Sequence, residues 1–164
     1  MPLDATVKVT LEATCRKSQS LGTAQDPLLL ARSVPLTSGT GAGQADRSFH
    51  GRRTLASEAG EDLDLSTLAD AFGDAVAMAR LRVLYVRNLS STDGLLVGGA
   101  AAGALGLFAD AGDVLNLPAQ GILLVTAPAA EGVVVGENAK LRCQHAGQTG
   151  ADLEYEIVLL GASA

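Results

Sequence analysis

The chain has 164 residues, a net charge of −6 and a pI near 4.8, and 48% of its residues are apolar. That length is one ordinary domain, able to bury a core without disulfides or metals. The acidic balance argues against a nucleic-acid partner, because phosphate contacts need a basic surface.

The aromatic residues are Phe49, Phe72, Phe108, Tyr85 and Tyr155, with no tryptophan. The core must therefore be Leu, Val and Ala, and the 19 glycines suit tight turns between short strands. No basic segment followed by an apolar one opens the chain, so no signal peptide is read, and residues 1–5 are read as an extended arm. Residues 6–13 (TVKVTLEA) place Val7, Val9, Leu11 and Ala13 on one side and Thr6, Lys8, Thr10 and Glu12 on the other, the period of a strand with one wet face. A second strand is expected over 28–34, between Pro27 and Pro35. Residues 33–53 then read as a long connection broken by Gly39, Gly41 and Gly43, with another strand over 52–58.

The segment 61–88 is the most informative. An acidic, turn-rich lead-in (Glu61, Asp62, Asp64, Ser66) passes through small residues around Phe72 and Gly73. It ends in an apolar run containing Leu81, Val83, Leu84, Tyr85 and Val86. That order predicts strand, corner, strand, with no more than a turn or two of helix in 67–78. The run 80–88 has no polar face at Leu84, Tyr85 and Val86, so it reads as a central strand. Residues 94–109 carry no charge but are too short and too rich in glycine for a membrane span. Further strands are expected over 95–97, 114–117, 121–127, 133–135, 140–145 and 153–160. The last alternates Leu153, Tyr155, Ile157 and Leu159 with Glu154, Glu156 and Val158. About nine or ten short strands, with at most one or two short helices, predict a single all-β domain over 1–164, a sandwich or barrel.

Little in the chain suggests chemistry. The 39–43 glycines lack the Lys-Ser/Thr pair of a phosphate loop, so no cofactor site is read. Cys15 and Cys143 lie far apart, with no CxxC pair. Cys143 with His145 is too small a set for structural zinc, so no metal is expected. The two cysteines read as buried free thiols or as a disulfide joining an N-terminal to a C-terminal strand. The acidic run has calcium-like spacing at Asp62 and Asp64 but does not complete the loop motif, and reads as a turn-forming acidic face. His145 reads as a surface residue. No nucleophile, base and orienting acid come together, so the chain is not read as an enzyme. One locally basic patch in this acidic chain, Arg47, Phe49, His50, Arg52 and Arg53, reads either as a solvated loop or as a docking segment for an acidic partner surface.

Four stretches carry a resemblance. They are DLDLSTLADAFGDAV…LRVLYVRN within 62–88, VGGAA at 97–101, LPAQGILLVTAPA at 117–129 and YEIVLLGAS at 155–163. Together they resemble small virion proteins of tailed double-stranded DNA bacteriophages, across roughly the C-terminal two-thirds of the chain, the N-terminal third matching more loosely. One departure is the turn 117–121, LPAQG, where such proteins tend to have a Gly-Gly pair.

The resemblance implies a structural virion protein, most plausibly a capsid decoration (cement) protein with a β-sandwich or jelly-roll body. Such a protein is made in the host bacterial cytoplasm and sits on the capsid exterior. Its implied partners are the phage major capsid protein and itself, as a homotrimer, with no direct contact to nucleic acid or membrane. The neighbouring readings are a head-fibre base or tail protein and, in a different class, a carbohydrate-binding adsorption module, which the scarcity of aromatic residues disfavours. An extended N-terminus or the 33–53 connection would reach across to neighbouring subunits and add binding by chelation.

Overall fold

The computed structural model describes residues 2–70, 72–137, 139–147 and 150–164, and among these every regular element is a β-strand. The body is a two-sheet sandwich. One sheet has the order β11–β8–β14–β4, from β4 (Arg47–Leu55), β8 (Arg80–Asn88), β11 (Ile122–Thr126) and β14 (Leu153–Ala162), and β12 (Val133–Val134) also pairs with β8. The facing sheet has the order β10–β9–β13–β5, from β5 (Gly60–Asp64), β9 (Leu95–Gly98), β10 (Val114–Leu117) and β13 (Lys140–His145).

The core follows from the period of 2. Leu84 and Val86 on β8, and Tyr155, Ile157 and Leu159 on β14, meet Leu95, Val97, Leu141 and Cys143 of the other sheet in one buried cluster. β14 lies between β8 and β4, pairing Ile157 with Val86 and with Gly51. Its register shifts between Leu160 and Gly161. A Cβ on Gly161 would stand 2.6 Å from the Arg80 carbonyl and 2.7 Å from Met78 Sδ, so the bulge requires glycine.

Two expectations change, and one turn shows its geometry. The segment 67–78 is a small hairpin, β6 (Leu68–Ala69) with β7 (Ala75–Val76), and contains no helix among its described residues. Asp70 prevents one, because its Oδ1 accepts from the N–H groups of Phe72 (2.8 Å) and Asp74 (2.9 Å) and fixes a turn. Residues 33–53 are not a long loop. They hold the end of one strand, a turn at 39–43, β3 (Gln44–Ala45) and most of β4. In the turn 117–121, Gln120 takes φ 59°, the left-handed conformation that glycine adopts without strain, and its N–H donates to the Ser90 carbonyl at 3.0 Å.

The largest difference is at the N-terminus. The extended arm is not residues 1–5 but a hairpin of β1 (Ala5–Gln19) and β2 (Gly22–Ser38), fifteen and seventeen residues long, paired from Ala5–Leu36 to Gln19–Gly22 around a two-residue turn. Only its base rests on the body. There Leu36, with Leu3, Ala5 and Val7, packs over Val83, Leu124 and Leu160 on the outer face of the first sheet.

Candidate functional site

The arm is the feature without an internal explanation. Directly paired residues share a face, so one face of the hairpin carries Val7 with Val34, Val9 with Arg32, Leu11 with Leu30, Ala13 with Leu28, and Cys15 with Asp26. This stripe begins in the packed base and continues into solvent, where Leu11 and Leu28 are 50% and 55% exposed. Leu29 on the opposite face is also exposed, and Leu21 at the tip is fully so. A two-stranded ribbon is marginal in water even with a short apolar face. Contiguous apolar surface of this extent on a projecting element marks an interaction site.

The edges of the arm are unequal. The two-residue turn makes Gln19–Gly22 a hydrogen-bonded pair, so bonded and non-bonded pairs alternate from there and Thr14–Pro27 and Thr6–Pro35 are non-bonded. The missing N–H groups of Pro27 and Pro35 therefore lie on the outer edge of β2 and blunt it, while β1 has no proline on its outer edge.

The root of the arm is held firmly. Thr37 N–H donates to Gly43 O (3.0 Å), Gly39 N–H to Ala45 O (3.2 Å) and Gly43 N–H to Pro128 O (2.8 Å). Buried Arg82 donates through Nη2 to Thr40 O (2.9 Å) and Gly41 O (3.2 Å), and through Nη1 to Ala129 O. Burial, with Arg80 nearby, lowers the guanidinium's pKa below its ordinary value. The glycine turn is thus closed on itself and on Arg82, with Gln44 Oε1 also accepting from Gly41 N–H at 2.9 Å.

Strand alternation splits the basic patch expected to act together. His50 and Arg52 are on the outer face of β4, opposite Val158 and Glu156 of β14, whereas Phe49 is a core residue. Arg52 pairs with Glu156 (3.1 Å) and Glu154 (3.9 Å), and Arg47 with Asp46 (3.4 Å). Arg53 points the other way and joins the sheets, its Nη2 2.6 Å and its Nε 2.7 Å from Glu61 Oε2. Glu61 Oε1 accepts from the Tyr155 hydroxyl at 2.8 Å. The Glu61 hydrogen bond raises the Arg53 pKa, and burial raises that of Tyr155. Arg53 is therefore an internal tie, not a free docking charge.

The other expected features separate in the same way. Asp62 pairs with Arg142 at 3.1 Å, and Asp64 accepts from the Ser66 hydroxyl and N–H, which lowers its pKa. Among the described residues no three His, Cys, Asp or Glu side chains converge to hold a metal. The cysteines are not joined. Cys15 is exposed on the arm, contrary to its expected burial, and Cys143 is buried with its thiol pushed up to about 12 by desolvation. His145 is buried, not on the surface: Nδ1 accepts from Gly147 N–H (2.9 Å), which leaves Nε2 to donate to Ala151 O (3.1 Å). Tyr155 is wholly buried and Tyr85 half-buried, so neither presents an open ring for stacking a sugar.

Sequence reasoning missed the arm's exposure and the acidic β5. The alternation of β1 was visible, but a dry face reads the same whether the chain's own core or another molecule covers it. No family model matches this chain, and no curated protein is significantly similar to it.

Proposed function

We propose that this chain is a structural virion protein, a capsid decoration (cement) protein that binds the outside of a phage head as a homotrimer and stabilises contacts between major capsid protein subunits. The observation that carries this reading is the rigidly rooted arm, whose apolar face lies in solvent. A protein that works by covering neighbours needs broad apolar and edge surface, many modest contacts and no reacting group. The resemblance supports it further, because its stretches include β8 and β14, the adjacent central strands of one sheet, with β11 and the β5–β7 corner. The acidic body would keep such a protein soluble and away from packaged DNA.

The test uses purified heads lacking the protein. Added chain should co-sediment with heads at saturable occupancy and raise the temperature at which they open. Arg52→Glu, on the outer face of β4, should lower that occupancy without unfolding the body. Absence of binding to heads, with a hexameric mass in solution, would move the assignment to a tail ring.

A further inference from the structure

We infer that the arm of one copy docks its basic, leucine-tipped end into an acidic cleft at the arm root of a second copy. This rests on the self-association half of the reading above and not on its capsid half.

The charges are complementary. The arm, residues 5–38, holds four cations (Lys8, Arg16, Lys17, Arg32) and two anions (Glu12, Asp26), hence +2. With a chain total of −6, the remaining 130 residues carry −8. Arg16 and Lys17 lie near the tip, beside exposed Leu21.

The receiving surface is a cleft at the other end of the arm. It is lined by Leu3, Asp46, Arg47, Asp70, Phe72 and Asp74, among others; Arg47 is paired with Asp46, which leaves Asp70 and Asp74 to make the rim acidic. Phe72 is 78% exposed, at the turn of the β6–β7 hairpin, and brings an aromatic ring to an acidic rim. Basic side chains near a leucine match the carboxylates of Asp70 and Asp74 on either side of a phenylalanine in both charge and hydropathy.

Geometry excludes closure within one chain. The cleft is built partly from Leu3 and Asp46, which flank the arm's root. The tip is separated from it by the solvent-exposed length of β1, about 40 Å for twelve residues at roughly 3.3 Å each. Folding the tip back would break the hairpin. A second copy imposes no such demand. A body of 130 residues has a radius of gyration of about 14 Å, so the arm spans about the width of a neighbouring body. As the arm crosses, its stripe of Val9, Leu11, Ala13, Leu28 and Leu30 faces that neighbour, leaving water. Each copy offers one tip and one cleft, and we take the contact to close, as a reciprocal dimer or a small ring, since most soluble oligomers have closed symmetry.

The experiment is the solution mass of the full chain by size-exclusion chromatography with light scattering, across micromolar concentrations. The wild type should be a closed oligomer of the 16.6 kDa chain. Arg16→Glu with Lys17→Glu should shift it to monomer, and adding Asp74→Lys should restore the oligomer, a rescue that general destabilisation would not give. Leu11→Ser with Leu30→Ser should also yield monomer while the body keeps its melting temperature. A monomeric wild type, or an oligomer unmoved by these arm changes, overturns the inference. Head binding is read separately: an arm-dependent oligomer that ignores heads refutes the cement reading alone, and a monomer that binds heads refutes the arm exchange alone.

Discussion

Asn88 is the position at which one side chain should matter most to the body. It ends β8, is fully buried, and ties three segments to that strand. Its Nδ2 donates to the carbonyls of Asp93 (2.8 Å), Leu117 (3.2 Å) and Pro118 (3.0 Å), and its Oδ1 accepts from Ser90 N–H (3.0 Å). Leu117 closes β10 and Asp93 precedes β9, so the amide joins one sheet to the loops that feed the other. Two N–H protons shared among three carbonyls, with one bond accepted, amount to about three hydrogen bonds at ~1 kcal/mol each. Asn88→Ala also leaves buried carbonyls unpaired, so the expected loss is about 3 to 4 kcal/mol. For a domain of this size that lowers the melting temperature by roughly 10 °C. Asn88→Asp is the sharper control. It keeps the shape but turns a carboxylate oxygen toward carbonyls at neutral pH, so it should be at least as damaging. Burial among carbonyls raises the acid's pKa, so part of the loss should be recovered as the pH falls from neutral toward about 4, where the protonated acid can donate. Chemical denaturation would measure both. An Asn88→Ala protein within 1 kcal/mol of wild type would refute the clasp.

Three further outcomes are expected. Tyr155→Ala should cost about 3 to 5 kcal/mol through a core cavity, and Tyr155→Phe only about 1 to 2 through the bond to Glu61, both read from denaturant midpoints. Arg53→Glu faces Glu61 with a like charge and should cost on the order of 1 to 2 kcal/mol, discounted because the side chain is more than a third exposed; the swap Arg53→Glu with Glu61→Arg should recover part of it, and strict additivity of the two changes would disprove the inter-sheet tie. In a Cys15→Ser protein, a thiol reagent at pH 8 should label nothing until denaturant is added and then one thiol per chain. Because burial holds the Cys143 thiol protonated, its contribution to stability is complete below the ordinary thiol value of 9.0. It should be lost as pH rises toward about 12, so an alkaline midpoint unchanged in Cys143→Ala would contradict that burial.

How far the sequence could be read follows from which signal each element carries. β8, β10 and β13 were legible to the residue, because each is an apolar or alternating run between turn residues. β5 was not, since Glu61, Asp62 and Asp64 look like a solvated turn; its carboxylates are instead taken up by Arg53 and Tyr155, Arg142, and Ser66, of which Tyr155 and Arg142 are distant in sequence. The hairpin β6–β7 was hidden for a related reason, its composition being helix-like and its geometry fixed by one aspartate. Among the candidate site residues, Arg47, Phe49, His50, Arg52 and Arg53 were grouped by adjacency. In a strand, adjacency places neighbours on opposite faces, so Phe49 went to the core, Arg53 to the partly exposed rim beside Glu61 of the facing sheet, and His50 and Arg52 to the outer face.

The arm shows where a periodic pattern stops being informative. Alternation in 6–13 predicts a dry face, and the structure supplies that face with only half a partner: the base covers Val83, Leu124 and Leu160, and the rest covers nothing in the same chain. A core residue and an interface residue obey one rule, removal of apolar area from water, and differ only in which molecule provides the cover. That difference separates the experiments cleanly. Changes at Asn88, Tyr155 or Arg53 act on burial already complete in one chain and should move the melting temperature. Changes at Leu11, Leu30, Arg16 or Lys17 act on burial that awaits a second chain, and should move mass while leaving the isolated body intact.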